Sequence, residues 1–72
     1  MIVEYQRSDF EPTFYPVDGE RWQTTVAINL LHVSSAESMD DSATYITLMS
    51  GARHIIRENY DRFVKLWRSA KP

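Results

Sequence analysis

The residues best suited to chemistry are three polar side chains in the second half of the chain. His54, Glu58 and Asp61 follow one another at intervals of four and three residues, a spacing that would bring them to one side of a helix. An imidazole and two carboxylates could hold a divalent cation. A metal centre, however, needs further ligands in a sheltered cleft, and this side of the helix would be open to water. The simpler interpretation is a solvated helix face.

The other polar residues form no recognisable catalytic pattern. His32 has no serine or acid at the spacing of a catalytic triad. The chain has no cysteine, which excludes a thiolate nucleophile, a thiolate zinc site and a disulfide framework. Gly19 and Gly51 are its only glycines, so no glycine-rich phosphate-binding loop is present. We therefore expect a protein that is not an enzyme and that binds no cofactor and no metal.

A basic and aromatic edge is the strongest candidate for a binding site. Residues 1–51 hold two basic and eight acidic side chains, whereas residues 52–72 hold six basic and two acidic ones. On a helical wheel, basic residues of the second part lie beside aromatic rings at the rim of an apolar stripe. This predicted partner-binding edge consists of Arg53, Arg57, Tyr60, Trp67, Arg68 and Lys71.

Three interpretations of that edge stay open. It could receive an acidic protein surface, or it could contact phosphates while its rings stack on bases. A pI near 5.5 is low for a nucleic-acid-binding domain. The simplest alternative is again a solvated face, because Glu58 and Arg62 stand in the favourable i,i+4 order for an ion pair on a helix.

Hydrophobic alternation predicts the strands that precede this edge. Alternating apolar and polar residues indicate strands over residues 2–7, 13–17 and 20–31, and an Asp-Gly pair at residues 18–19 predicts a tight hairpin turn. The apolar phase slips after Leu30, which indicates a bulge or the end of the strand.

Apolar residues at helical spacing predict one long amphipathic helix over residues 42–70, with Gly51 tolerated inside it. The Ser- and Asp-rich residues 34–42 are typical of a polar connector. The expected fold is therefore α+β: a small antiparallel β-sheet of two or three strands, followed by the helix, in a single domain of residues 1–72. An all-α helical hairpin is the alternative.

The predicted helix is too long for so small a domain. It would extend about 43 Å, whereas a compact chain of 72 residues has a diameter of roughly 29 Å. Its apolar end would then pack on a second copy of the chain, with a dimer interface at Phe63, Leu66 and Trp67. A break at Gly51 would remove the need for that homodimer.

These observations exclude function classes more firmly than they identify one. No stretch is long and apolar enough to span a membrane and no secretory signal is recognisable, so we expect a cytoplasmic location without membrane contact. The expected function is a small non-enzymatic protein-binding or regulatory module, of adaptor or inhibitor type, that acts as a homodimer. Its size alone suggests an accessory protein of a phage or mobile element. The alternative is a nucleic-acid-binding regulator that uses the basic and aromatic edge.

Overall fold

The computed structural model describes residues 1–8, 22 and 24–70, which form a five-stranded antiparallel sheet and one α-helix. The α+β class is confirmed, whereas two or three strands is too few and the all-α alternative is wrong. The elements in chain order are β1 (Ile2–Ser8), β2 (Thr24–Asn29), a 3₁₀ turn (Leu30–His32), β3 (Val33–Asp40), β4 (Ala43–Leu48), β5 (Arg53–Ile56) and the helix α1 (Tyr60–Ala70).

The sheet is curled, because its two edge strands are consecutive in sequence. The strand order is β2-β1-β5-β4-β3, and only the three-residue 3₁₀ turn joins β2 to β3. A flat sheet would hold its edges four strand spacings apart, about 19 Å, while the turn spans about 8 Å at 2 Å per residue. The edges must therefore approach each other at the turn.

One side of the curled sheet, here the inner face, packs against α1 and holds the core. The helix contacts the 3₁₀ turn, β3 and β4. The opposite side is the outer face. The side chains of the main core cluster, each less than a tenth exposed, are Tyr5, Ile28, Leu30, Val33, Ile46, Ile56 and Phe63.

The helix predicted over residues 42–70 is wrong before Tyr60, because residues 43–48 and 53–56 are strands. Thr44 and Ile46 are fully buried and both lie on the inner face of β4, which is the two-residue period of a strand. Their β-branched side chains also favour extended backbone.

Gly51 is a hairpin residue and not part of a helix. The Leu48 N–H donates to the Ala52 carbonyl at 2.8 Å, and the Gly51 N–H donates to the Leu48 carbonyl at 2.9 Å. Residues 49–51 thus form a three-residue loop between β4 and β5. Gly51 closes this loop with φ +93°, a conformation that residues with a side chain rarely adopt.

Asn59 determines where α1 begins. Its Oδ1 accepts a hydrogen bond from the Arg62 N–H at 3.2 Å, as an N-cap residue does, and its Nδ2 donates to the Asp41 carbonyl at 3.2 Å. The helix has 11 residues and is about 16 Å long, so the excess length that predicted a second chain is absent. Among the described residues, no helix has the length and apolar character needed to cross a membrane.

The strand predictions are confirmed in part. Residues 2–7 form a strand that continues to Ser8. The strand predicted over residues 20–31 ends at Asn29, and the slip in apolar phase corresponds to the 3₁₀ turn. The strand predicted at 13–17 and the turn at 18–19 lie outside the described residues. The predicted connector is mostly the edge strand β3, whose register shifts twice against β4.

Candidate binding surface

The predicted partner-binding edge is not a single row on one helix, because residues 42–59 are not helical. Arg53 lies on β5, and Arg57 directly follows that strand. The other described members of the edge lie on α1, and Lys71 lies outside the described residues. The structure therefore divides the edge into a strand part and a helix part.

The helix part is divided again between surface and core. Tyr60 and Arg68 lie on the solvent side of α1, where they line a shallow depression of about 630 Å³ together with charged and small side chains. Trp67 instead packs toward the core, with its ring centroid 6.1 Å from that of Phe63. The helix part therefore does not present its two aromatic rings on one surface.

The predicted dimer interface lies in or against the core of one chain. Phe63 is fully buried, and Leu66 and Trp67 are half-buried against the same cluster. Much of the apolar surface for which a second chain was inferred is thus covered within a single chain. Neither the length of the helix nor its apolar face requires a second copy, and a dimer at these three residues stays a prediction.

The strand part lies on the outer face of the sheet. Thr44 and Ile56 pair on the inner face, so alternation directs Tyr45, Ile55 and Arg53 outward. The Arg53 Nη1 donates a hydrogen bond to the Tyr45 hydroxyl at 3.4 Å. Ile55 pairs with Tyr45 and is only 4% exposed, so it is covered although it lies on the outer face.

Arg57 is held in place by contacts with two other parts of the chain. Its backbone N–H donates to the Gln6 carbonyl at 2.8 Å, and its Nη1 donates to the Gln6 Oε1 at 2.8 Å. Its Cζ lies 5.9 Å from the centroid of the Trp22 ring, within the range of a cation–π contact. This guanidinium therefore has a defined position although the side chain is exposed.

A depression of about 610 Å³ extends over the outer face of β3, β4 and β5. Glu37 pairs with Tyr45 in the register of β3 and β4, so a carboxylate lies across the depression from the Arg53 guanidinium. The depression thus combines both signs of charge with hydroxyl groups, an aromatic ring and one thioether. Its lining consists of Ser35, Glu37, Ser38, Met39, Tyr45, Thr47 and Arg53.

The three residues considered for a metal site belong to three different places. His54 faces inward on β5 opposite Ile46, Glu58 lies between β5 and α1, and Asp61 lies in the first turn of the helix. Glu58 pairs with Arg62 at 3.8 Å, the predicted ion pair, although Glu58 precedes the helix. Within the described part of the chain, no three potential metal-ligating side chains come together.

In the part of the chain that the structure describes, two titratable side chains have a buried polar atom without a hydrogen-bond partner: Tyr5 through its hydroxyl and His54 through Nδ1. Burial raises the pKa of Tyr5, the Glu58 carboxylate raises it further, and the Arg62 guanidinium opposes the shift. Burial, with a smaller effect of Arg7, lowers the pKa of His54. Both shifts favour the neutral forms, so these groups are parts of the interior.

Of the residues that line the outer depression, sequence reasoning had proposed only Arg53. Tyr45, Glu37 and Met39 are among the six that it missed. A helical pattern assigns Tyr45 to a buried stripe, and a polar connector gives Glu37 and Met39 no defined direction. The alternation of residues 43–48 and the turn residue Gly51 were the signals that could have identified this hairpin.

The chain was compared with protein-family models, with curated proteins and with solved structures, and no significant match was found in any of the three comparisons.

Proposed function

We propose that the chain is a non-enzymatic protein-binding module of adaptor or inhibitor type. Its contact surface is the depression on the outer face of β3, β4 and β5. One observation carries the proposal: the exposed Arg53 lies 3.4 Å from the Tyr45 hydroxyl, with the Glu37 carboxylate across the same depression. Tyrosine and arginine are the side chains that protein interfaces favour at their energetic centres.

The partner that fits this surface is a polypeptide segment with a carboxylate next to an apolar group. The carboxylate would bind the Arg53 guanidinium, and the apolar group would contact the Tyr45 ring and the Met39 thioether. Glu37 would accept a hydrogen bond from the backbone or from a basic side chain of the partner. Charges of both signs in one depression select the orientation in which a protein segment binds.

Nucleic acid is the second candidate. It is favoured by the guanidinium of Arg57, which lies 5.9 Å from the Trp22 ring, because single-stranded nucleic acid binds to combinations of basic and aromatic groups. Two observations count against it. The Glu37 carboxylate would repel phosphates, and the chain as a whole carries a net charge of −2.

Charge reversal at Arg53 tests the proposed surface. A tagged chain and its Arg53→Glu variant are compared in affinity capture, with the retained proteins identified by mass spectrometry. We expect the variant to lose a partner that the parent retains, while thermal unfolding changes little, because an exposed ionic contact contributes only about 0–1 kcal/mol. The matched control is Arg68→Glu, the same charge change on α1, which should keep the partner. If Arg53→Glu retains that partner undiminished, the proposed surface is wrong.

A salt titration separates the two candidates. Labelled single-stranded DNA and RNA are titrated with the protein at low and at physiological salt, and anisotropy reports binding. A protein-binding module should give no binding at physiological salt. Binding that weakens linearly with the logarithm of the salt concentration, and that Arg57→Glu abolishes, would support the nucleic-acid candidate instead.

A further inference from the structure

β2 is an edge strand without the features that normally prevent edge pairing. Its six residues keep an unbroken register against β1, and they include no charged residue and no proline. The other edge, β3, has two register shifts and carries Glu37 and Asp40. Proteins usually protect exposed edges with bulges and charges of this kind. Within the described ranges, β3 has such protection and β2 does not.

The hydrogen-bond pattern shows which backbone groups of β2 are available. The Leu30 N–H donates to the Met1 carbonyl at 3.0 Å, so every second residue back from Leu30 bonds to β1. The intervening residues, Thr25, Ala27 and Asn29, direct their backbone toward the open edge. The Asn29 carbonyl belongs to the start of the 3₁₀ turn, so it is not counted among the available groups. The other outward N–H and C=O groups have no partner among the described residues.

We propose that a second copy of this chain occupies this edge, with β2 pairing antiparallel to β2 about a two-fold axis at Ala27. In this register Ala27 faces its own copy, and Thr25 faces Asn29 of the second copy. The two Ala27 residues exchange two hydrogen bonds, and each Asn29 N–H donates to a Thr25 carbonyl. All the available outward groups except the Thr25 N–H are then paired.

The strand is complementary to itself in side chains and in charge. Ala27 at the axis is small enough to face its copy without a clash, and both Thr25 and Asn29 are polar. Among the described residues, the charged group that lies directly beside Ala27 is Glu4, its partner on β1. Its copy would lie three strand spacings away, about 14 Å, which exceeds the screening length of about 8 Å at physiological salt. Charge repulsion therefore does not oppose the pairing.

An exposed apolar side chain supports a second copy in this orientation. Leu31, at the Asn29 end of β2, is 44% exposed. The two-fold axis brings the Thr24 end of β2 of the second copy next to the 3₁₀ turn that contains this leucine. Exposed apolar side chains of this kind are typical of surfaces that bind another protein.

The dimer goes beyond the proposed function, and it does not depend on it. Pairing at β2 makes one continuous sheet with five strands from each copy, in which β3 lies at both outer ends. The dimer would then have two outer depressions, and each could contact a different part of a partner. A repetitive or dimeric partner could be bound through both at once, which raises the apparent affinity without any new contact.

Single cysteines test the register, because the chain contains no cysteine and any disulfide must join two copies. Two facing residues that exchange hydrogen bonds have Cα atoms about 5.5 Å apart. This distance lies within the range of about 4.4–6.8 Å that is usual for the Cα atoms of a disulfide. Ala27→Cys should therefore form a covalent dimer under mild oxidation. Thr25→Cys is the matched control on the same face. Its copy would lie about 13 Å away, so it should stay monomeric in denaturing electrophoresis.

Two further variants test the assembly in solution by light scattering, from micromolar to near-millimolar concentration. The parent chain should approach twice the chain mass of 8.4 kDa. Ala27→Pro removes an outward N–H without removing a bond to β1, and Ala27→Lys places like charges at the axis. Both should stay at the monomer mass, and circular dichroism should show that at least one is folded. A monomeric parent at every concentration, equal cross-linking of Thr25→Cys, or a doubled mass for either variant that is folded overturns the proposal.

Discussion

Replacing Phe63 with alanine measures how strongly the packing of α1 inside the curled sheet stabilises the protein. Phe63 is fully buried, and its ring centroid lies 6.1 Å from that of Tyr5 on β1 and 6.1 Å from that of Trp67 on α1. The ring therefore joins the helix to the sheet, and its removal would leave a cavity between them. We expect the largest loss of stability for any single aromatic side chain of α1.

The magnitude follows from burial. A buried phenylalanine removes at least about 150 Å² from water, which at about 25 cal/mol per Å² contributes roughly 4 kcal/mol. Phe→Ala substitutions in protein cores cost about 3–5 kcal/mol. A chain of 72 residues has a total stability of about 4–11 kcal/mol. Phe63→Ala should therefore remove a large part of that stability, whereas Phe63→Leu, which keeps most of the apolar volume, should cost only about 1 kcal/mol.

The assay is urea denaturation of the parent and both variants, followed by circular dichroism at two well-separated protein concentrations. If Phe63 belongs to the core of one chain, the difference in unfolding free energy between parent and variant is the same at both concentrations. If it lies between two chains, mass action makes the difference depend on concentration. A cost below about 1 kcal/mol for Phe63→Ala, or a concentration-dependent difference, would refute the packing described above.

Three other substitutions test individual features. Tyr5→Phe removes a buried hydroxyl that has no hydrogen-bond partner among the described residues. The free energy of unfolding in urea should therefore rise by about 1 kcal/mol. A fall would show that the hydroxyl makes a stabilising hydrogen bond. Gly51→Ala adds a Cβ that meets no atom within 4 Å. Thermal unfolding should therefore show a loss of stability of only roughly 1–2 kcal/mol, from the backbone strain at φ +93°. A larger loss of stability would indicate a clash. The pKa of His54 is lowered from 6.5 in the folded chain by burial and by Arg7, so below pH 6.5 the unfolded chain binds more protons and stability falls as the pH decreases. His54→Gln should reduce this loss of stability, which is measured as the unfolding midpoint against pH. His32→Gln is the control for the loss of an exposed imidazole. An unchanged pH profile for His54→Gln would show that His54 does not cause the loss.

Elements whose apolar pattern fits a single period could be predicted from the sequence. β1 alternates without ambiguity, so residues 2–7 are correctly predicted as a strand. The slip after Leu30, which indicated a bulge or the end of the strand, coincides with the 3₁₀ turn that follows β2. From Tyr60 onward the apolar stripe is helical in sequence and in structure. In each case neighbouring residues along the chain carry the whole signal, because strand and helix periods differ within a few residues.

The conformation of residues 42–59, in contrast, depends on long-range packing. Tyr45, Leu48 and Ile55 fit a helical stripe, and the same residues fit two strands of a hairpin. The choice depends on the burial of Thr44 and Ile46, and these two are buried because β4 lies in the sheet and faces α1. A local pattern cannot report such burial, since it depends on partners elsewhere in the chain.

The residues of the candidate surface are likewise brought together by long-range packing. Glu37, Tyr45 and Arg53 are separated along the chain, and they share one depression because β3, β4 and β5 are neighbours in the sheet. The available edge of β2 likewise depends on the strand order, which places β2 at the end of the sheet that the described residues form. Periodicity specifies which side chains of a strand share a face, whereas the order and register of strands depend on long-range packing. That packing is the physical reason why the surface could be recognised only in the folded chain.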